Sequence, residues 1–332
     1  MEQCGWKTVE GKCSILTARN CQVRGAQGLG LTVSDMGVTT AYKCSFSDSY
    51  EGNIVVKNGG ALELHECECN DSRKEAGLYV SEQGSSASVS ASSFCSKWSK
   101  NIWAHRGGAV DLRDCKCERG ALGLLLTRGS SATVSSSCVS SNRLENISLI
   151  EGSHLELHKS QCTNNGRTAG LKVIDGGSSA RARGCSFNSN TGAGVSVGDT
   201  WGVQRHREVE LQGCECSDNE GSGLVVLNCW GGEIMAKESS ISNNLQSNVR
   251  VAKGGNTVLE GSRCDGSKSA IRLCASDKDS YATATSSSIS NNHQSNVNVA
   301  KGVHAVLVEC RCDGGKSASG LSVAHEGSRA IA

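Results

Sequence analysis

The sequence predicts an all-β solenoid, a single parallel β-helix of about thirteen coils with ~23 residues in each coil. The 332 residues include 40 glycines, no proline and only 12 aromatic side chains, which is little material for an ordinary globular core. Residues 239–254 and 287–302 are identical at all but two positions, at an offset of 48 residues. Apolar and polar residues alternate over three short segments in each repeat, a pattern typical of half-buried strands.

A Cys or Ser residue stands at the same position of every repeat and is called the anchor below. The anchors are Cys21, Cys44, Cys67, Ser92, Cys115, Ser137, Ser160, Cys185, Cys214, Ser239, Ser262, Ser287 and Cys310. Successive anchors are 22 to 25 residues apart, with one spacing of 29. The residue two positions after each anchor is Val, Ile, Phe or Cys, so every repeat has a second small or apolar position that can be buried.

The other two segments of each repeat keep the same register. Ala, Val or Leu lies three residues before every anchor, and later pairs such as Leu31 and Val33 mark a third strand. Such strands bury their apolar faces only if each coil stacks on the next. The repeat resembles the right-handed parallel β-helix repeats of the pectate-lyase-like superfamily over residues 9–325, which implies a right-handed coil. We therefore predict a partial cap at 1–15, a β-helix at 16–325 and a tail at 326–332.

Asparagine recurs five residues after many anchors. These residues are Asn142, Asn165, Asn190, Asn219, Asn244 and Asn292. The amide of asparagine pairs with copies above and below it, and asparagine tolerates left-handed backbone in tight turns. We interpret the series as a structural asparagine ladder.

The 19 cysteines are interpreted as unpaired core residues, because thirteen of them occupy the anchor column or the column two residues later. Cysteines of the second column lie in alternate coils, ~9.6 Å apart, which is too far for a disulfide. We expect buried free thiols, no metal site, and an intracellular, reducing compartment. The thiols outside these columns are expected to be the more reactive ones: Cys4, Cys13, Cys95, Cys138, Cys229 and Cys274.

Charge and hydropathy exclude several classes of function. Lys plus Arg (34) balances Asp plus Glu (33), so the chain lacks the excess of basic residues typical of nucleic-acid-binding proteins. No apolar run approaches the ~18 residues of a membrane span, and Met1 is not followed by a secretion signal. The sequence therefore predicts neither a nucleic-acid partner nor a transmembrane segment, and no cofactor.

The resemblance implies that any enzyme of this kind places carboxylates on one sheet face. The Asn-Thr-Asp, Asp-Asp, Gly-His-Gly and Arg-Ile-Lys motifs of pectin-hydrolysing relatives are absent, so we assign no catalytic residue. Four carboxylates do recur four residues before their anchors, on the outer face of alternate coils. They are Glu63, Asp111, Glu156 and Glu210. They form either a carbohydrate groove or simply a solvated polar face.

The longest anchor spacing, from Cys185 to Cys214, indicates a bulging loop that could contact a partner protein. The candidate residues on this edge are Trp201, Arg205, His206, Arg207, Trp230 and Tyr281. Trp98 and Trp103 are interpreted as local packing. The first hypothesis is therefore a non-catalytic structural protein that docks partner proteins in a larger assembly and self-associates at its C-terminal coil. The alternative is a polysaccharide-binding or polysaccharide-processing protein.

Overall fold

A computed structural model describes residues 14–198, 207–227, 232–266, 273–277, 279–291, 296–313, 320–324 and 327–331. The chain divides into two compact units, unit 1 (Met1–Gln161) and unit 2 (Cys162–Ala332). All regular secondary structure in the described ranges is β-strand. Within these ranges there is no helix of the length and apolar character that crossing a membrane requires.

Unit 1 contains three parallel sheets, and each of its first six coils contributes one strand to each sheet. Sheet I comprises Ile15–Arg19, Val38–Tyr42, Ala61–His65, Ser86–Ser90, Ala109–Arg113, Ser131–Ser135 and His154–His158. Sheet II comprises Gln22–Arg24, Ser45–Ser47, Glu68–Asn70, Ser93–Cys95, Lys116–Glu118 and Cys138–Ser140. Sheet III comprises Leu29–Val33, Gly52–Val56, Ala76–Ser81, Lys100–His105, Leu122–Thr127 and Ile147–Ile150.

Unit 2 repeats the same three-sheet arrangement. Its strands of sheet I are Ser179–Arg183, Arg207–Gln212, Gly232–Lys237, Asn256–Glu260, Tyr281–Thr285, His304–Val308 and Arg329–Ile331. Those of sheet II are Glu215–Ser217, Ser240–Ser242, Arg263–Asp265 and Ser288–Ser290. Those of sheet III are Ala169–Val173, Ala193–Gly198, Leu224–Leu227, Val249–Ala252, Leu273–Ser276, Val297–Ala300 and Leu321–Ala324.

Register between coils follows the sequence repeat. Leu64 pairs with Val89 and Val89 with Leu112, each in parallel and in the same position of its strand. These three side chains are 0 to 1% exposed, while the residues beside them in each strand point outward. The predicted parallel β-helix is therefore confirmed in each unit, and its core consists of the inward columns of the three sheets.

The cysteines fill this core as unpaired thiols. All cysteines in the described ranges are free, and Cys69 and Cys117 are completely buried on either side of Phe94 in the column two residues after the anchors. A large ring thus alternates with small thiols in that column. Cys4, Cys13 and Cys229 lie outside the described residues.

The anchor position exchanges Cys and Ser because both side chains make the same two hydrogen bonds. Ser92 Oγ accepts the N–H of Cys67 of the preceding coil at 2.9 Å and donates to the carbonyl of Ser90 at 2.7 Å. Cys67 Sγ accepts the N–H of Cys44 at 3.4 Å and donates to the carbonyl of His65 at 3.3 Å. The corner between sheets I and II therefore requires a small side chain that both donates and accepts.

The asparagine ladder is present in unit 2. Asn190 Nδ2 donates to Asn219 Oδ1 at 3.1 Å, and Asn219 Nδ2 donates to Asn244 Oδ1 at 2.8 Å. The left-handed backbone, however, belongs to the residues just before the ladder, such as Asp218 (φ 56°) and Asn243 (φ 55°). The ladder residues themselves are selected for their amide hydrogen bonds. Asn292 lies outside the described residues.

Candidate functional site

The candidate site lies on the outer face of sheet I in unit 1, where the middle position of each strand points to solvent. This column reads Thr17, Thr40, Glu63, Ser88, Asp111, Thr133 and Glu156, one residue per coil. From Glu63 onward, carboxylates alternate with hydroxyls. The carboxylates recur every second coil, a period of ~9.6 Å.

One side of this column is formed by larger polar and aromatic residues. The Arg19 guanidinium lies 4.8 Å from the centre of the Tyr42 ring, and that ring stacks on His65 at 4.9 Å. His65 Nδ1 lies 2.7 Å from Ser90 Oγ. The row continues with Arg113 in the next coil. These contacts give the column a supported wall of hydrogen-bonding groups.

The opposite side of the column is low in the four middle coils, where it consists only of alanine and serine, whereas Ile15, Val38 and His154 occupy it in the other coils. Ala61, Ser86, Ala109 and Ser131 occupy this outward position in four consecutive coils. Together with the middle column they line a depression of about 290 Å³ that also contains Glu63, Ser88, Asp111 and Thr133. We call this depression, with its carboxylate column, the sheet I groove.

The carboxylates of the groove are held in place by neighbouring polar groups. Thr40 Oγ1 donates to Glu63 Oε2 at 3.3 Å, and the guanidinium of Arg113 donates to Asp111 Oδ2 at 3.0 Å. The side chain of Glu63 remains 54% exposed and that of Asp111 32% exposed. The Glu63 carboxylate is therefore oriented while remaining accessible to a ligand, whereas Asp111 Oδ2 is held by Arg113 and Asp111 Oδ1 is buried without a hydrogen-bond partner.

Sheet I of unit 2 carries a different outer face. Its middle column reads Arg181, Glu210, Met235, Val258, Thr283, Val306 and Ile331. Glu210, the fourth predicted carboxylate, forms an ion pair with Arg181 at 3.4 Å, and apolar residues follow it. The alternation of carboxylates and hydroxyls is therefore a property of unit 1.

The predicted partner-binding edge is described only in part. Trp201, Arg205, His206 and Trp230 lie outside the described residues. Tyr281 is 50% exposed and stacks on His304 at 5.6 Å.

Arg207 requires a correction, because its side chain is completely buried. It lies on the same inward side of its strand as Val209 and Leu211. The strand therefore begins at Arg207, the last residue of the loop predicted from the sequence. Because it points inward, Arg207 is not available to a partner.

Two of the thiols predicted to be reactive, Cys95 and Cys274, have environments that disfavour the thiolate. Burial is the main cause that raises the pKa of Cys95 and of Cys274 above the ordinary value. Reactive cysteines need a lowered pKa, so these two thiols are less reactive than the sequence predicted. Within the described ranges, no group of three or more His, Cys, Asp or Glu side chains is placed to hold a metal ion.

Trp98 was not among the functional candidates predicted from the sequence. Its side chain is 71% exposed, which contradicts the interpretation as local packing. Trp103 is indeed packed, with its Nε1 donating to Thr127 Oγ1 at 3.1 Å and its ring 4.7 Å from that of Tyr79.

Comparison with known proteins identifies the family of this fold. The family model described as "Right handed beta helix region" matches residues 8–143 and 99–202, which together exceed half of the chain. The chain belongs to the right-handed β-helix family. No curated protein matches the sequence of this β-helix.

Several solved β-helix structures are similar to the chain. They include the Dettilon tailspike protein (11% identity, TM-score 0.64, 87% of this chain and 62% of that chain). A mutant of the periplasmic alginate epimerase AlgG has 9% identity and a TM-score of 0.60 over 89% of this chain and 77% of that chain. The A-module of the mannuronan C-5 epimerase AlgE6 of Azotobacter vinelandii has 12% identity and a TM-score of 0.56, over 87% and 91%. At these identities the similarity shows the β-helix fold alone.

Proposed function

We propose that this β-helix protein binds a polysaccharide in the sheet I groove. The observation that carries the proposal is the groove itself, in which oriented carboxylates alternate with hydroxyls beside a floor of alanine and serine. Sugar hydroxyls donate to carboxylates and exchange hydrogen bonds with Ser88 and Thr133. Because alanine and serine are small, a sugar ring can lie over them beside the larger side chains of the column.

The regular spacing of the groove suits a linear polymer. Carboxylates recur every second coil, at a backbone spacing of ~9.6 Å, close to the length of a disaccharide unit. A chain lying along the groove can therefore repeat the same contacts at Glu63 and at Asp111. Repeated weak contacts within one molecule add up to useful affinity.

The charge of the groove determines which sugars fit. The residues that line the groove include the carboxylates Glu63 and Asp111 and no basic side chain. An anionic polymer such as a polyuronate is repelled by this face, whereas neutral or amino sugars are not. We therefore assign the groove to a polysaccharide of neutral or amino sugars.

The solved neighbours support a polysaccharide ligand but not its identity. Two of them are named as epimerases of alginate or mannuronan, and a third is a tailspike protein. Alginate is a polyanion, so the ligand of this chain belongs to a different charge class. The chain spans 62% of the length of the tailspike chain.

The spacing of the carboxylates does not suit a retaining glycosidase. Retaining glycosidases place two carboxyl groups ~5 to 5.5 Å apart, and inverting enzymes ~6.5 to 9.5 Å apart. The strands of Glu63 and Asp111 lie on either side of the strand that carries Ser88, so their backbones are ~9.6 Å apart. This separation exceeds the first range and lies at the upper limit of the second.

Titration with three hexasaccharides tests the proposal: a chitosan (amino-sugar), a cello- (neutral) and a mannuronate (anionic) oligomer. The double variant Glu63→Gln/Asp111→Asn should bind the amino sugar or neutral oligomer at least tenfold more weakly than the wild type, because it loses both charged acceptors. Ala109→Trp, which fills the floor of the groove, should have a similar effect.

The matched control is Glu68→Gln, since Glu68 is an exposed carboxylate of the same coil as Glu63 but lies on sheet II. Its affinity should remain within twofold of the wild-type value. Equal binding by the wild type, the double variant and Ala109→Trp would refute the assignment to this groove. Tight binding of the mannuronate oligomer alone would refute the assigned charge class.

The protein-docking hypothesis remains a prediction alongside this proposal. Exposed apolar side chains in unit 2, such as Val308 (45%) and Ile331 (48%), favour contact with another apolar surface. The predicted self-association can be measured by analytical ultracentrifugation of the full chain. A monomer at all concentrations contradicts self-association and leaves the sheet I groove unaffected.

A further inference from the structure

A β-turn in unit 1 presents an aromatic side chain to solvent. The turn Ser96–Ser99 connects sheet II strand Ser93–Cys95 to sheet III strand Lys100–His105, and Ser99 N–H donates to the Ser96 carbonyl at 3.2 Å. Lys97 and Trp98 are its two central residues. Trp98 is 71% exposed, the largest exposure among the aromatic side chains of the described ranges.

The turn is fixed at both ends. Ser96 N–H donates to Asn101 Oδ1 at 2.7 Å, and Ser99 Oγ donates to the carbonyl of Ser72 in the preceding coil at 2.9 Å. The exposure of Trp98 is thus a property of an anchored turn. A side chain presented in this way loses little conformational entropy when it binds a ligand.

Neighbouring coils leave much of the Trp98 ring open. Trp98 lies six residues after its anchor, and the equivalent residues of the next two coils are Ala121 and Arg143. Ala121 is small, and the Arg143 guanidinium reaches to 5.7 Å from the Trp98 ring centre. A cation at this distance is a weak contact at an exposed site, so the ring is only partly covered.

Beside the ring is a depression of about 450 Å³ lined by Trp98, Lys97, Arg73, Asp48 and Asp71. The lining therefore combines an apolar ring, two cationic donors and two carboxylate acceptors. Asp71 Oδ1 is buried and accepts no hydrogen bond. Asp48 Oδ2 is bound by Arg24 at 3.0 Å, which fixes its orientation.

The backbone holds both carboxylates at equivalent positions of adjacent coils. Asp48 (φ 59°) and Asp71 (φ 53°) have left-handed backbone, each four residues after its anchor. The Asp71 N–H donates to the carbonyl of Cys95 at 2.9 Å. The backbone therefore fixes the position of both carboxylates in the depression.

We propose that this depression is a second carbohydrate-binding site, which holds one ring of a neutral glycan against Trp98. A sugar ring has an apolar C–H face that packs on an aromatic ring, and its hydroxyls both donate and accept hydrogen bonds. Asp48 and Asp71 accept such hydrogens, while Arg73 and Lys97 donate.

Other ligand classes fit this site less well. The four charged residues of the lining sum to zero, and Arg24 and Arg143 border them. A polyanion is nevertheless disfavoured, because it would lie against the carboxylates of Asp48 and Asp71. An apolar peptide would leave two carboxylates desolvated and unpaired. The site lies at the corner between sheets II and III. Its assignment is independent of the assignment of the sheet I groove.

The experiment uses the full chain carrying Glu63→Gln/Asp111→Asn, which removes the sheet I groove as a competing site. Maltohexaose, cellohexaose and hexamannuronate are titrated by saturation-transfer NMR and calorimetry. At least one neutral oligomer should bind, and adding Trp98→Ala should weaken its affinity at least tenfold. Adding Trp98→Tyr, which keeps an aromatic face, should change the affinity less than fivefold.

Trp103→Phe serves as the matched control, because Trp103 is a packed tryptophan of the following strand. It should not alter the affinity, and the melting temperature should be the same with and without Trp98→Ala. The proposal is overturned if no neutral oligomer binds, if only hexamannuronate binds, or if Trp98→Ala leaves the affinity unchanged. Loss of all binding in the groove variant also overturns it, while leaving the sheet I groove assignment intact.

Discussion

The outer faces of sheet I differ between the two units although their inner faces are alike. In unit 1 the middle column alternates Glu63, Ser88, Asp111 and Thr133, whereas in unit 2 Met235 and Val258 follow Glu210. The adjacent inward positions are apolar in both units, except at Thr39 in unit 1 and Thr257 in unit 2. Stacking constrains only the inward columns, so ligand specificity is free to develop in the outward ones.

The largest effect is expected when inward and outward neighbours on the same strand are each replaced by alanine and their effects on stability are compared. Leu112→Ala in unit 1 and Leu211→Ala in unit 2 should each lower the free energy of unfolding by ~2 to 5 kcal/mol, because both side chains are completely buried. Asp111→Ala and Glu210→Ala should change it by less than ~1 kcal/mol, since exposed ion pairs contribute little. Urea unfolding monitored by circular dichroism provides the measurement. A cost for Asp111→Ala as large as that for Leu112→Ala would show that the outer face also maintains the fold.

Anchor variants sharpen the comparison, because the same hydrogen bonds are made in both units. Ser137 Oγ accepts the Cys115 N–H at 3.0 Å, and Ser262 Oγ accepts the Ser239 N–H at 3.2 Å. Ser137→Ala and Ser262→Ala should each cost ~1 to 3 kcal/mol by leaving a buried N–H unpaired. Ser137→Cys, which retains a donor and an acceptor, should cost clearly less in the same unfolding experiment. Equal costs for the Ala and Cys variants contradict the hydrogen-bond explanation of the anchor.

Alkaline pH tests the buried thiols of both units. Burial raises the pKa of Cys117 in unit 1 and of Cys216 in unit 2 above the ordinary value of 9.0. Above that pH the unfolded chain loses these protons while the folded chain retains them, so stability falls as pH rises, by ~1.4 kcal/mol per pH unit for each thiol. We expect Cys117→Val and Cys216→Val each to reduce the loss of unfolding free energy between pH 8 and pH 10 by roughly 1 to 2 kcal/mol. An unchanged pH dependence in both variants would contradict the burial of these thiols.

The fold was predictable because the repeat keeps one register. A parallel β-helix pairs equivalent residues of successive coils, so the columns of Leu64, Val89 and Leu112 can be read directly from the sequence. The carboxylate column followed from the same counting, and the structure places Glu63 and Asp111 on the outer face as predicted. The hydrogen bonds of the anchors were not predictable, since spacing alone shows that the position is small but not that it must donate and accept.

Features that depend on several coils together were harder to predict. The exposure of Trp98 depends on Ala121 and Arg143 at the equivalent positions of later coils, so the residues of its own coil do not show it. A comparison of turn positions across coils would have revealed the signal. Likewise, Arg207 was assigned to a loop because the 29-residue spacing does not show where the next strand begins.

The most direct test of the central claim is a crystal structure of the full chain with the oligosaccharide that binds most tightly in the titrations. The account predicts sugar rings over Ala61, Ser86, Ala109 and Ser131, with hydroxyls hydrogen-bonded to Glu63 and Asp111. Rings seated instead on the apolar column of unit 2, at Met235 and Val258, would contradict the assignment of the polysaccharide site to unit 1.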